Sequence, residues 1–346
     1  MLLTNDEIKE QTRALWKTCF NDSEEFMDIY FDEKYSDNVN MTLRPDGSVA
    51  AALQLLPYRM TFYGTVQHAG YISGLSTAEQ YRKKGLASHL LREAHRRLFD
   101  QGAAISFLIP GNEYLRHFYE KAEHGAYWTA TFRKEAEITI DGDIDPKIEI
   151  SQPDEWREEL YVFYRQHTLN QPFMLHPSEN DFFAALETCD LDGGMVLVAR
   201  RKRRLLGVCL VVKESDGRCF LRSMVAADNA AKHAFLNYIF THCGVDKAYA
   251  RIAVPGSAAG ATPYTMARVI NVEKLLKAIL EVYPTFQLHI GIDGDLDIPE
   301  NNGYYYVNDG KVTITDEKPG NIVTPGGLAA MLLGAHPTMV EMMLDE

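Results

Sequence analysis

Apolar positions in the first third of the chain recur at two different spacings, and each change of spacing marks a new element. Between residues 5 and 35 the positions Ile8, Leu15, Trp16, Phe20, Phe26 and Tyr30 fall on a helical stripe. Arg44-Pro45-Asp46-Gly47 is a turn signal. Residues 49–58 form an apolar, Ala- and Leu-rich stretch that suits a buried strand, Tyr63-Gly64-Thr65 turns it, and residues 67–76 predict a second strand running into a loop. Leu86, Leu90, Leu91, Ala94 and Leu98 then share one helix face, with Arg92, Glu93, Arg96 and Arg97 outside it and Gln101-Gly102 as the stop. Residues 103–109 predict a short strand, broken by Pro110-Gly111-Asn112. Residues 113–122 predict a short helix carrying Phe118 and Tyr119, and residues 127–132 a returning strand.

Residues 135–155 are acidic and carry the breakers Asp141-Gly142-Asp143 and Asp145-Pro146, which places a domain boundary near residue 145. The next region repeats the first one's order: helices over 155–187, strands over 195–200, 206–213 and 218–225, and a helix over 230–240. That echo points to a diverged internal duplication. From Thr262 onward the pattern predicts a helix over 271–280 and strands over 286–292, 303–307 and 311–315. Asn308-Asp309-Gly310 makes a hairpin turn there, and a closing helix over 324–333 ends at Gly334. The tail, residues 339–346, reads as helical. The expected fold is therefore mixed α/β (α+β) in three parts, residues 1–145, 146–262 and 263–346.

A chain of 346 residues, 46% hydrophobic and 24% charged, can bury a large core. No apolar run approaches the roughly 20 residues that cross a bilayer, and the first ten residues lack the pattern of a signal peptide. The expectation is a cytoplasmic protein without membrane insertion. A net charge of -13 disfavours nucleic acid and is compatible with cationic amine substrates. Five widely spaced cysteines without a CxxC pair, and His89 and His95 six residues apart, predict neither disulfides nor a metal site.

The basic turn Arg82-Lys83-Lys84-Gly85-Leu86-Ala87 stands between a strand and a helix in a chain that is acidic overall. A helix start offers unpaired N–H groups and the positive end of the helix dipole, and a glycine there lets backbone approach an anion closely. The R-x-x-G-x-A pattern in this setting predicts a diphosphate site. The same place in the second region reads Asp228-Asn229-Ala230-Ala231-Lys232-His233, with no glycine and with an acid at the turn, so no diphosphate is expected there. Arg200-Arg201-Lys202-Arg203-Arg204 lies between two strands and predicts a solvated hairpin tip.

Residues 74–100, with Phe118-Tyr119 and Gly125-Ala126-Tyr127, resemble the GNAT acetyltransferase superfamily over roughly residues 1–135. The whole arrangement resembles more specifically the enhanced intracellular survival (Eis) family. In that family an active GNAT domain precedes a degenerate GNAT-like domain and a sterol carrier protein-like domain. Met266 to Val272 resembles the entry to that last domain, and Thr324 to Gly334 resembles its closing helix. The resemblance implies N-acetyl transfer from acetyl-CoA, as co-substrate, to a small-molecule or peptide amine in a homo-oligomer, with a hexamer as one form. Leu75, Ser76 and Thr77 would hold the pantetheine arm. Lys83, Lys84, Gly85, Leu86, Ala87 and Ser88 would bind the diphosphate, Asn112 would add a coenzyme contact, and Tyr119 would be the general acid. The α-carboxylate of Glu346 would be the base, with water or an acidic group such as Asp28, Asp32 or Glu33 as alternatives. A different class of function, a non-catalytic acyl-CoA or lipid-binding protein acting through the C-terminal part, remains open on the sequence.

Overall fold

The computed structural model describes residues 3–153, 155–156, 158–342 and 344. The chain forms two compact units. One comprises Met1–Phe132, Pro172–Leu175 and Val254–Val340, and the other Arg133–Gln171, His176–Ala253 and Glu341–Glu346.

In the first unit, helices α1 (Asn5–Phe20) and α2 (Glu24–Glu33) replace the single helical segment read from the stripe. The reason is local. Asn21 adopts the left-handed conformation that ends α1, and Ser23 caps α2 by accepting a hydrogen bond from the Phe26 N–H. Strands β1 (Asn40–Leu43), β2 (Ala51–Phe62) and β3 (Thr65–Thr77) follow. Then come α3 (Leu86–Asp100), β4 (Ile105–Leu108), α4 (Glu113–Glu120) and β5 (Trp128–Thr129). These strands form an eight-stranded sheet that also takes in Met174–His176, Met266–Val269 and Met339–Val340. Met266–Val269, which resembles the entry to the third region, lies between β4 and β5 and pairs antiparallel with both. One expectation is corrected here. The tail, read as helical, supplies the edge strand Met339–Val340, which pairs with Met174 and Leu175.

The apolar face of α3 packs its Leu90, Leu91, Ala94 and Leu98 on Leu53, Leu55 and Ile72 of the sheet. The remaining C-terminal elements of this unit are the helix Val272–Val282, a four-stranded sheet and the helix Pro325–Leu333. The sheet order is Lys311–Thr315, Gly303–Asn308, Leu288–Ile292, Ile322–Val323.

The second unit is built on a sheet in the order Ala248–Val254, Cys219–Ala226, Arg204–Lys213, Met195–Arg201, Glu149–Ser151. The basic run turns between Arg201 and Arg204, with Lys202 left-handed at the tip. Arg200 and Arg201 are not free there: they pair with Glu159 at 2.5 Å and Asp145 at 2.7 Å.

Candidate active site

The sheet opens at the place the sequence pattern singles out. Parallel strands β3 and β4 are paired only from Ala69–Ile105 to Tyr71–Phe107. Beyond Tyr71, β3 runs on to Thr77, while β4 ends at Leu108, two residues before Pro110. Proline has no N–H to continue a ladder. The last six residues of β3 are therefore unpaired with β4 and form one edge at the carboxyl ends of two parallel strands. Ligands of open α/β sheets characteristically bind outside the carboxyl ends of their strands.

Gly74 shapes that edge. Opposite Ala52–Gln54 of β2 the strand carries one extra residue, a β-bulge, and Gly74 sits in it at φ +59°. A Cβ there would fall 2.0 Å from Trp16, so both the conformation and the space demand glycine. Leu75 shares the bulge, and Ser76 and Thr77 follow it.

The loop after Thr77 is tied down at several points. Arg82 Nε donates to the Thr77 carbonyl at 3.2 Å, the Tyr81 hydroxyl donates to Asp46, and Lys84 Nζ lies 5.2 Å from the Tyr81 ring. Lys83 is held at φ +60°, an unfavourable region for a lysine that a functional loop can sustain. Gly85 is the N-cap of α3 at φ +81°. No side chain caps this helix, its first turn carries no acid, and nothing stands within 4 Å of where a Gly85 Cβ would be. Gly85, Lys83 and Lys84 are exposed. The start of α3 thus presents open space, backbone N–H groups and positive charge, which fits a diphosphate. The second unit shows the contrast. There the Asp228 carboxylate accepts from the Ala231 N–H at 2.8 Å and caps the helix Asn229–Cys243. An anion would meet a carboxylate in that place, as the sequence implies.

Tyr119 in α4 belongs to one apolar cluster, and Leu75 at the end of β3 and Leu86 at the start of α3 pack against it. Tyr119 is 7% exposed. Its ring lies 5.2 Å from that of Phe118 and 6.1 Å from that of Tyr127, and its carbonyl accepts from the Tyr127 N–H at 2.9 Å. Ser88 pairs with His124 at 2.6 Å, and His124 stacks on Phe118 at 3.9 Å, linking the first turn of α3 to α4. Asn112 caps α4 with its side-chain oxygen, 2.9 Å from the Leu115 N–H. Asp28 lies 2.8 Å from Arg13 and Asp32 3.9 Å from Lys9, both on the surface. Glu346 lies outside the described residues.

Beneath Tyr119 is a polar network that the sequence pattern does not reveal. Arg268 is 1% exposed, and its Nη2 donates to both Asp295 oxygens at 2.7 Å. His95 is fully buried on α3. Its Nδ1 lies 2.7 Å from Asp297 and its Nε2 2.9 Å from the Tyr127 hydroxyl, which also meets Ser106 Oγ at 2.7 Å. Burial raises the Asp297 carboxyl, but His95 and the arginines around it outweigh this, and it stays ionised. His95 is pushed down to about 4 by burial and then by Arg268, against the pull of Asp297, so its ring is neutral. A neutral imidazole facing a carboxylate through Nδ1 carries its proton there. Nε2 then accepts from Tyr127, and Tyr127 accepts from Ser106. The 3.4 Å approach of Arg268 Nη1 to Nδ1 is accordingly a contact rather than a hydrogen bond. Burial keeps the Tyr127 phenol protonated well beyond its usual range. The signals available in the sequence are a histidine on an otherwise apolar helix face and a lone arginine inside Met-Ala-Arg-Val-Ile. Such a charge is buried only with partners.

This network predicts a pH dependence of stability. An unfolded histidine titrates near 6.5. Between that pH and about 4 the unfolded chain takes up a proton that folded His95 refuses. Stability therefore falls as pH drops through this window, by up to about 1.4 kcal/mol per unit. Urea unfolding at about pH 7 and about pH 5 should show wild type losing roughly 2 kcal/mol more than His95→Gln. Equal losses in the two proteins would show that His95 is not held neutral.

The sequence profile of an acetyltransferase (GNAT) domain matches residues 2–126. Among curated protein sequences nothing matches. Among solved structures, a GCN5-related N-acetyltransferase from Anabaena variabilis is 21% identical, with 95% of this chain and 88% of that one covered at a TM-score of 0.73. A probable N-acyltransferase from Enterococcus faecalis is 17% identical, with 97% and 89% covered and a TM-score of 0.73. Eis1 from Mycobacterium abscessus is 14% identical with the same coverage and TM-score. Residues 2–126 thus match an acetyltransferase (GNAT) domain profile, and the mixed α/β fold is similar to that of those proteins over nearly the whole chain.

Proposed function

We propose that the GNAT domain of this chain transfers an acetyl group from acetyl-CoA to a primary amine by direct attack in a ternary complex. The observation that carries this reading is the conjunction at the open end of β3: a bulged strand end beside an uncapped, glycine-led, basic helix start. In this reading Leu75, Ser76 and Thr77 hold the pantetheine arm by backbone groups. The loop and first turn from Lys83 to Ser88 take the diphosphate, with Asn112 as a further coenzyme contact. Holding thioester and amine together supplies much of the acceleration, and N–H groups near Thr77 stabilise the oxyanion. Tyr119 protonates the departing thiolate, and the Glu346 carboxylate removes the amine proton.

The reading extends to the rest of the chain. Residues 146–262 are a degenerate GNAT-like domain, and residues 263–346 are sterol carrier protein-like, in a cytoplasmic homo-oligomer. Among the described residues no helix is long and apolar enough to cross a membrane, and no group of side chains could hold a metal ion.

The test is calorimetric titration with acetyl-CoA, followed by a thiol-release assay with spermidine, a lysine-bearing peptide and kanamycin as acceptors. Saturable heat and thiol release dependent on one of the amines are expected. Absence of heat would remove the acyl-CoA site. Heat without thiol release on any amine, together with displacement of a fluorescent fatty acid, would favour a binding protein.

A further inference from the structure

We infer that Arg268, Asp297, His95 and Tyr127 form a positioning device, supplied in part by the C-terminal segment, that fixes the Tyr119 segment relative to β3 and β4. The inference rests on the assignment of Tyr119 as general acid above.

The segment to be fixed is unusual. After α4 the chain reverses through Gly125 at φ +102° and Ala126 at φ +51°, two consecutive left-handed residues. An alanine in that region is strained and holds its place only where neighbours over-determine it. The neighbours are the network. Arg268 Nη1 donates to the Gly125 carbonyl at 2.7 Å, at the turn itself. One residue beyond Ala126, the Tyr127 hydroxyl is gripped by His95 on α3 and Ser106 on β4. The Tyr127 N–H in turn holds the Tyr119 carbonyl at 2.9 Å. Three contacts from outside, with Arg268, His95 and Ser106, therefore converge on one short stretch from Tyr119 to Tyr127.

Their anchors come from elsewhere in the chain. Arg268 sits on Met266–Val269, the strand beside β4. Asp295, which clamps Arg268 through both oxygens, is itself held by the Asn301 side chain at 2.8 Å and the Ile298 N–H at 2.9 Å. Asp297 orients His95 and fixes its tautomer. Buried charges are costly to assemble, and here Arg268 Nη1 is spent on the Gly125 carbonyl, in the turn that follows Tyr119. Arg268 and its partners thus act through Tyr127 and Gly125. They are placed to position the phenol, not to touch the reacting atoms.

Replacing Arg268 would leave the Asp295 carboxylate buried without its cation, so the informative variant is Tyr127→Phe. It deletes one hydroxyl and keeps the ring and the N–H. With the amine that gives the highest rate of thiol release from acetyl-CoA, Tyr127→Phe should lower kcat by roughly ten- to a hundredfold, the range for a misplaced catalytic group. KM for acetyl-CoA should be unchanged. The double variant Tyr119→Phe/Tyr127→Phe should be no slower than Tyr119→Phe alone, because the second change acts only through the first residue. Full kcat in Tyr127→Phe, or losses that multiply in the double variant, overturns the inference. Full kcat in Tyr119→Phe instead overturns the assignment it rests on, and the two failures are distinct. A readout free of any acceptor is the fluorine resonance of 3-fluorotyrosine placed at position 119 in the acetyl-CoA complex. Tyr127→Phe should shift or split it, and an unmoved resonance counts against the device.

Discussion

Gly85→Asp should weaken acetyl-CoA binding by roughly a thousandfold while leaving the protein folded. The chain itself contains the outcome this variant imitates. In the second unit Asp228 stands at the corresponding helix start and its carboxylate satisfies the Ala231 N–H. The same residue type at position 85 would set a carboxylate at the start of α3, although from a left-handed backbone rather than the extended one of Asp228. Position 85 has room, since nothing lies within 4 Å of the added Cβ. The backbone there is at φ +81°, which costs an L-residue about 1–2 kcal/mol and aspartate less than most. The large effect is electrostatic. The carboxylate would set a negative charge against the proposed diphosphate. Two unit charges about 4 Å apart at a protein surface repel by about 4 kcal/mol, which is roughly a thousandfold in Kd. Gly85→Ala separates the contributions: it has the backbone cost without the charge and should lose no more than about tenfold. Calorimetry on the three proteins, with thermal unfolding as the control for folding, decides the matter. Wild-type affinity in the Gly85→Asp variant would mean that the coenzyme's phosphates lie elsewhere.

What the sequence made legible follows from which physical signals are local. The R-x-x-G-x-A turn, the apolar face of Leu90, Leu91, Ala94 and Leu98, and the Asp228 cap are all decided within a few residues of chain. They emerge in the structure much as the pattern predicts. The break at Asn21–Ser23 is hidden because the apolar stripe continues in phase across it, although Asn-Asp-Ser after a helix is itself a stop-and-start signal. The non-local features are out of reach. Met266–Val269 looks like any short apolar strand, and nothing within it tells that it pairs with β4, about 160 residues earlier in the sequence. Met339–Val340 is too short for its period to be read at all. The bulge at Gly74 needs the register of β2 against β3, which only the folded sheet supplies.

The same distinction applies to the site. Leu75, Leu86 and Tyr119 could be named from a motif, but the groups that hold Tyr119 could not. His95, Ser106, Tyr127, Arg268 and Asp297 are spread over roughly 200 residues and meet only because α3, β4 and the C-terminal segment close on one another within a single unit. From spacing alone, a histidine on α3 can be judged only as a metal ligand. The structure gives it a different task, that of a neutral link between a carboxylate and a phenol.

Tyr119→Phe should reduce turnover by roughly a hundredfold, the usual worth of a positioned general acid, and leave acetyl-CoA affinity as it was. The substitution removes a single hydroxyl. The ring keeps its edge-on contacts with Phe118 and Tyr127, and the backbone keeps the hydrogen bond from the Tyr127 N–H, so packing and the position of α4 are preserved. Because Tyr119 is 7% exposed, bulk water has little access from which to replace the lost proton donor. The binding elements, at the end of β3 and the start of α3, do not include the hydroxyl. Loss confined to kcat, with KM for acetyl-CoA constant, is the signature of an interaction made only as the thiolate departs. A second signature lies in the leaving group. An acyl-CoA analogue whose thiol is more acidic needs less help from a proton donor, so the variant's deficit should shrink with it. A deficit that is the same for both leaving groups would assign the loss to geometry. Undiminished turnover with acetyl-CoA would take Tyr119 out of the mechanism and leave the thiolate to depart by another route.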